Sequence, residues 1–373
     1  MTGLVLLASL IWLLILLLPI RVTGTRERLE ADHTAHADLS DVTVLIPARD
    51  EADTIVRTLN ALNDQGLGLA IIVVDDQSSD DTAKLAAGHP LGPTVISGDT
   101  LPERWVGKVW ALEQGYRQIP TPFVLLLDAD IELAPGMVAA LRDFASKDER
   151  AMVSVLARLC IDSFWERLLV PAYVYFFKLL YPFALVNDSR FPLGGAAGGC
   201  MLLRRDALRD IGGFHALRAA IIDDCSLARL IKSGQRRIWL GLTDSAISHR
   251  PYPALRDVWN LVTRSAFAQL RFSAILLLLC TGAMLGLFLA APIGVVMLDG
   301  PARLVAWAGS LAMLGTYLPV LYFHRLSPWR AVTLPVVALA FLAMTWHSAL
   351  RYWRGTRTVW KSRRYMRARS EPQ

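Results

Sequence analysis

This sequence predicts an α/β fold: a mostly parallel, Rossmann-like sheet with membrane helices before and after it. Three observations predict it. Short runs rich in Val, Ile and Leu (VTVLIPA, AIIVVDD and FVLLLDAD) each end in polar residues and alternate with helical stretches such as Glu51 to Leu62 and Thr82 to Ala87. That is the texture of a parallel sheet covered on both faces. Four apolar runs, Leu4 to Ile20, Ala274 to Leu298, Leu304 to Phe323 and Ala331 to Leu350, approach the ~20 residues that cross a bilayer core. The chain is 54% hydrophobic, and its apolar excess is unevenly placed, so it reports membrane segments and not an unusually rich core.

Residues 1–22 read as an N-terminal transmembrane anchor. No Lys or Arg precedes the run, it is long for the core of a signal peptide, and no small-x-small site follows it. Residues 23–41, rich in charge and small side chains, read as a juxtamembrane linker with His33 and His36 solvated. The α/β domain occupies 42–250. Within it, 164–186 is apolar and aromatic but interrupted by Glu166, Arg167, Pro171, Lys178 and Pro182, and a spanning helix carries such charges poorly. It reads as an amphipathic interfacial segment or the lining of an acceptor cleft, with a buried core helix as the alternative.

Interfacial helices are expected over 251–273, a C-terminal transmembrane region over 274–350 and a basic interfacial tail over 351–373. The tail holds eight Lys or Arg mixed with Tyr352, Trp353, Trp360 and Tyr365, which suits a membrane interface. No nucleic-acid-binding signature accompanies the net charge of +6, so nucleic acid is not an expected partner. The four cysteines, at 160, 200, 225 and 280, form no C-x-x-C pair. That argues against structural zinc or a disulfide framework and fits a reducing compartment.

In open sheets of this kind ligands gather at the carboxyl ends of the strands, so the polar residues that end each apolar run are the ones to read. Asp75-Asp76 ends IIVV and precedes QSSDDT. A carboxylate there can accept a hydrogen bond from a planar base, and the turn can equally cap the next helix. Asp128 and Asp130 follow FVLLL with one residue between them, so both carboxylates face one spot. Two hard oxygen ligands suit Mg²⁺ or Mn²⁺, with phosphates filling other positions. Asp223-Asp224 follows LRAAII and opens a helix-like stretch. Adjacent carboxylates beside apolar residues favour one raised pKa, as a general base requires, although helix capping explains them as well.

Taken in order, IPARDE, VVDDQSSDDT, GKVWALEQG, LLLDAD, GGAAGGCMLLRRDAL, IGGF and IIDDCSLARLIKSG resemble the family 2 glycosyltransferases over roughly residues 42–250. The resemblance implies a GT-A fold, a nucleotide-sugar donor (UDP-linked) and inversion at the anomeric carbon. Carried over residue by residue, it places Pro47, Ala48 and Glu51 beside the uridine, and gives Asp76 the hydrogen bond to the base. It makes Asp128 and Asp130 the D-x-D, with Asp130 the direct metal ligand and Asp128 supporting the metal or the ribose. Asp224 becomes the catalytic base, with Asp223 where the family usually has Glu, and Lys108 a cation near the diphosphate. A P-loop is excluded, because Gly107-Lys108 lacks the preceding glycine and the following Ser or Thr. Gln235 to Trp239 imitates the Q-x-x-R-W of processive synthases but has Ile238 where Arg belongs, and reads as part of a strand. Arg264 is then the candidate for a diphosphate contact.

The flanking apolar runs resemble the ceramide glucosyltransferase-like branch, and FWERLLVPAYVYFFKLLYPF with RSAFAQLRFS resembles the hopanoid-associated bacterial members. The resemblance thus implies a membrane-lipid acceptor, possessing a hydroxyl and of hopanoid type, at a bacterial inner membrane. A polyprenyl-phosphate sugar transferase and a catalytically silent nucleotide-binding membrane protein are the alternatives. Arg21, Arg26 and Arg28 after the first run, with Arg264 and Arg271 before the second, place the domain in the cytosol by the positive-inside rule. Three C-terminal spans would leave the basic tail outside, so one run is expected to be re-entrant or interfacial. A reporter fused after Gln373 is expected to be active in the cytosol; activity confined to the periplasm refutes that topology.

Overall fold

The computed structural model describes residues 1–18, 22–33, 37–360 and 363–366. Arg21, His36, Lys361 and the tail from 367 to 373 lie outside the described residues. The chain divides into two compact units, one of residues 27–160 and 185–251, the other of residues 1–26, 161–184 and 252–373.

The first unit is built on eight strands: β1 (Val42–Ala48), β2 (Ala70–Asp75), β3 (Thr94–Ser97), β4 (Phe123–Leu127), β5 (Ile131–Leu133), β6 (Met152–Arg158), β7 (Cys200–Arg204) and β8 (Ile238–Ser248). They form one sheet in the order β3-β2-β1-β4-β7-β6-β8-β5. Every residue of β1 and β4 is buried, as expected for Val- and Leu-rich strands covered on both faces. The sheet is parallel through β3, β2, β1 and β4 and again between β6 and β8, while β7 runs antiparallel to β4 and β6, and β5 antiparallel to β8. The mostly parallel sheet is therefore a mixed one, with the change of direction at β4–β7. Register does the positioning: Ala48 lies beside Asp75, Leu127 beside Cys200, and Ile131 beside Ser248.

Where a solvated linker is expected over 23–41, the part from Glu27 onward packs on this sheet. The Leu242 N–H donates to Glu27 O at 2.8 Å and Leu29 N–H to Leu242 O at 3.1 Å. The Glu30 carboxylate accepts from Ser245 Oγ at 2.7 Å and Thr243 Oγ1 at 3.1 Å. The cause is the shortness of β5, which pairs only with Ala246 to Ser248 and leaves the earlier backbone of β8 in need of partners on that side.

Among the described residues of the second unit three helices are long and apolar enough to cross a membrane: Ala274–Met297, Gly300–Phe323 and Pro328–Trp353. The N-terminal helix, Thr2–Leu17, has 16 residues. At 1.5 Å per residue it reaches about 24 Å, short of a ~30 Å hydrocarbon core. It ends where Pro19 approaches, since a residue preceding proline is driven out of the helical region and Leu18 is extended at ψ 132° one position earlier. Its Trp12 Nε1 donates to Leu287 O at 2.7 Å, and its Ser9 backbone closes on Gly309, where a β-carbon would lie 2.6 Å from Ser9 Cα. Small residues permit this approach of two apolar helices.

Phe164–Leu180 belongs to this unit, with Leu169 to Ala172, Val174, Tyr175 and Lys178 buried and Phe164, Arg167 and Leu180 exposed. Glu166 and Lys178 find partners within the unit, while Arg167 is exposed. Ser163 and Glu166 form a capping box, and Glu166 also accepts from the Tyr252 and Asp162 N–H groups. Lys178 Nζ lies 3.4 Å from the centre of the Phe183 ring, and Tyr175 Oη meets Thr316 Oγ1 at 2.8 Å. The expected interfacial stretch forms two helices, Leu255–Thr263 and Ala266–Gln269. In the basic tail Thr356–Trp360 pairs antiparallel with Arg363–Met366.

Two measurements follow from this packing. Gly309→Leu inserts a side chain where Ser9 sits and is expected to lower stability by about 1–3 kcal/mol, seen as a lower unfolding midpoint in detergent. Burial raises the Glu166 carboxyl, yet the N–H groups of Ser163 and Tyr252, the Ser163 hydroxyl and the Asp162 N–H together hold it below the usual Glu range. A depressed acid contributes stability above its unfolded value of about 4.3 and loses it as pH falls through the folded value. The unfolding midpoint of Glu166→Gln is therefore expected below wild type at neutral pH, with the gap closing below about pH 4.

Candidate active site

Strand ends bring the expected carboxylates together in the sheet unit. Asp128 follows β4 and its N–H donates to Gly199 O at 3.0 Å, a bond that the β4–β7 register dictates. Lys108 stands in the first turn of helix Gly107–Tyr116 and places Nζ 2.6 Å from Asp128 Oδ1 and 3.5 Å from Gly198 O. A β-carbon on Gly198 would lie 3.1 Å from Asp224 Oδ2, a contact tight enough that Asp224 would have to give by a few tenths of an ångström. Asp223 and Asp224 open the helix Asp223–Ser233, and Asp224 Oδ1 accepts from the Cys225 N–H at 2.7 Å. Asp128, Lys108, Gly198 and Asp224 thus form one cluster. Burial lowers the Lys108 amine, but the carboxylates of Asp128, Asp223 and Asp224 override it and hold the ammonium above the ordinary range. It stays charged.

Asp130 lies just before β5, almost fully buried. Ser248 Oγ donates to its Oδ2 at 2.7 Å and Arg250 Nε approaches the same oxygen at 3.5 Å. The Asp128 ion pair falls on Oδ1. Each carboxylate of the D-x-D therefore keeps a second oxygen clear of these contacts, and two hard oxygens fit Mg²⁺ or Mn²⁺. Among the described residues no three His, Cys, Asp or Glu side chains group closely enough to enclose a metal. Such an ion would complete its shell from phosphate and water.

Glu51 follows β1 and pairs with Arg250 Nη2, so one guanidinium straps Glu51 to Asp130. Arg250 is absent from the expected site; its signal was a polar His-Arg directly after the apolar strand β8. The neighbouring His249 places Nε2 2.6 Å from Glu132 Oε2 and Nδ1 2.7 Å from Arg57 Nη1. Pro47 and Ala48 close β1, and the Asp76 N–H donates to Ala48 O at 2.8 Å. The Asp76 side chain is fully buried, with Arg49 Nη1 3.9 Å from Oδ2. Since β1 separates β2 from β4, Asp76 and Asp128 stand two strand spacings apart, on the order of 10 Å. Arg264 is the exception: it caps helix Leu255–Thr263 in the other unit. Trp239 is in β8 with its ring 4.8 Å from Phe144, the strand residue expected of the false Q-x-x-R-W.

Residues 43–212 match the family model described as glycosyl transferase family 2. The chain is 30% identical over 118 residues to a 4,4'-diaponeurosporenoate glycosyltransferase of Staphylococcus haemolyticus, covering 31% of this chain and 31% of that one. It is 28% identical over 148 residues to the protein of that name from Staphylococcus aureus strain bovine RF122 / ET3-1, covering 39% of each. The chain thus spans between about a third and two fifths of the length of these curated relatives. Among solved structures, a mannosyltransferase from Pyrobaculum calidifontis, PcManGT, in complex with GDP-Man and Mn2+, superimposes with a TM-score of 0.57 at 18% identity, covering 94% of this chain and 98% of that one. The likeness is one of fold. Residues 43–212 therefore match a glycosyltransferase family 2 domain, and the sheet that holds them is a GT-A-like mixed one.

Arg250→Gln leaves two carboxylates without their shared cation and is expected to cost about 1–3 kcal/mol, since the guanidinium is partly solvated. Denaturant unfolding of the purified variant measures it, and Arg250→Lys should recover part of the loss.

Proposed function

We propose that this chain transfers a sugar, with inversion, from a UDP-linked nucleotide-sugar to a hydroxyl of a membrane lipid of hopanoid type. The observation that carries the proposal is the meeting of Asp224 with the Lys108–Asp128 pair at the carboxyl ends of the strands. A leaving nucleoside diphosphate accumulates negative charge, and an attacking hydroxyl must lose a proton. The cluster supplies a cation for the first need and a carboxylate for the second.

In this reading Asp76 hydrogen-bonds the base, beside Pro47, Ala48 and Glu51, and Lys108 faces the diphosphate. Asp130 and Asp128 hold Mg²⁺ or Mn²⁺, which when bound would offset the charge of the diphosphate. Asp224 takes the proton of the acceptor hydroxyl. Arg264 is the further candidate for a diphosphate contact. Three long apolar helices support a membrane acceptor, and relatives named 4,4'-diaponeurosporenoate glycosyltransferases support sugar transfer. The same helices support residence in a membrane, which we read as a bacterial inner membrane, and Arg21, Arg26, Arg28, Arg264 and Arg271 support a cytosolic sheet unit. The P. calidifontis structure with Mn2+ supports the divalent ion.

General-base assistance is worth about 10²- to 10⁴-fold. Asp224→Asn is expected to lower turnover of purified full-length protein by that factor while the affinity for UDP-sugar stays near wild type. Wild-type turnover in that variant removes the base assignment. Chelation of divalent ions is expected to abolish turnover, with recovery on adding Mg²⁺ or Mn²⁺. Transfer to polyprenyl phosphate, and none to hydroxyl lipids, would overturn the acceptor.

A further inference from the structure

At the other end of the β4–β7 ribbon lies a cleft of about 610 Å³, a size typical of small-molecule sites. Pro120 precedes β4 on one wall, and Arg204, Arg205 and Arg209 follow the chain out of β7 on another. Tyr116 and Arg117, at the far end of the helix that begins beside Lys108, complete it. Five residues of strand, about 17 Å, separate this cleft from Asp128. It is a distinct place.

Its charge is unbalanced. Arg117 pairs with Glu113 at 3.1 Å, Arg204 with Asp206 at 3.3 Å, and Arg236 from behind with Asp206 at 3.2 Å and with Asp210. Arg209 reaches Asp210 at 3.8 Å, so with Arg205 five guanidiniums stand against three carboxylates. Arg205 is exposed, its Nη1 reaches only the Pro120 carbonyl at 3.4 Å, and no carboxylate lies within 4.0 Å of it among the described residues. Burial raises the Tyr116 phenol above its ordinary value despite Arg205 and Arg209 nearby, so its O–H remains a donor. The ring itself is braced by the Phe214 edge at 5.8 Å.

We infer that this cleft binds a phosphate-bearing small molecule, Arg205 and Arg209 taking the phosphate oxygens and the Tyr116 hydroxyl donating to a third. Planar guanidiniums are the side chains best matched to phosphate, and the Tyr116 and Pro120 surfaces offer apolar contact to whatever carries it. The phosphate can belong to a free metabolite or to a lipid headgroup.

The test is calorimetric titration of full-length protein in detergent with a metal chelator present, on a Lys108→Gln background that removes the cation paired with Asp128 at the strand ends. Inorganic pyrophosphate and dihexanoyl phosphatidic acid are the two probes. Binding is expected to weaken at least about tenfold in Arg205→Gln/Arg209→Gln, the loss of charge-assisted bonds, and to fall with added salt. Tyr116→Phe gives a smaller loss and serves as the second variant if the double one is misfolded. Pyrophosphate binding with this dependence makes a free phosphate the ligand; binding of phosphatidic acid alone makes it a headgroup. No binding of either, or binding indifferent to these substitutions, overturns the inference. Neither result depends on whether Asp224 is a base.

Discussion

The antiparallel pairing of β7 with β4 is the constraint on which the candidate site depends. Because Leu127 lies beside Cys200, the glycines ahead of β7 are delivered directly across from Asp128. Gly199 takes the Asp128 N–H, and Gly198 turns its carbonyl to Lys108 and its bare α-carbon to Asp224. A carboxylate nearly a hundred residues further along the chain is thereby brought to the end of β4. Had β7 joined in parallel, the same glycines would have emerged at the opposite end of the sheet.

Electrostatics completes what the register begins. Acidic side chains crowded at strand ends would repel one another, and the structure answers with two cations of different kinds. Lys108, a point charge on a flexible stem, sits against Asp128, while Arg250, a planar fork, spans Glu51 and Asp130. Both carboxylates of the D-x-D thus have one oxygen engaged and one directed elsewhere. Such an arrangement tolerates the acidic cluster alone and keeps hard oxygens for a cation that arrives with its own phosphate.

Much of this was legible in the residues. Apolar runs ending in Asp75-Asp76 and in Asp128 show strands whose carboxyl ends carry chemistry, because burial on both faces demands continuous Val, Ile and Leu and the polar exit is then conspicuous. Strand direction was not legible: CMLLR reads alike both ways, and only its partner decides. Arg250 and Glu30 escaped for a related reason, since their partners stand 199 and 213 to 215 residues away and no local pattern announces them. Two of the charges of Phe164–Leu180 pointed to water or headgroups, yet Glu166 spends its charge on the N–H groups of Asp162, Ser163 and Tyr252 and Lys178 on an aromatic face. A charge in an apolar segment locates a partner; it does not say that the partner is solvent.

The stretch from Glu27 to Asp41 has a practical meaning for anyone wishing to handle the sheet unit by itself. Fragments of membrane enzymes are commonly trimmed back to the first strand, here Val42. Such a cut would strip Glu27, Leu29 and Glu30 from β8 and bare a run of unpaired backbone, an invitation for one molecule to stitch itself to the next. Keeping Glu27 to Glu30 spares β8 that exposure.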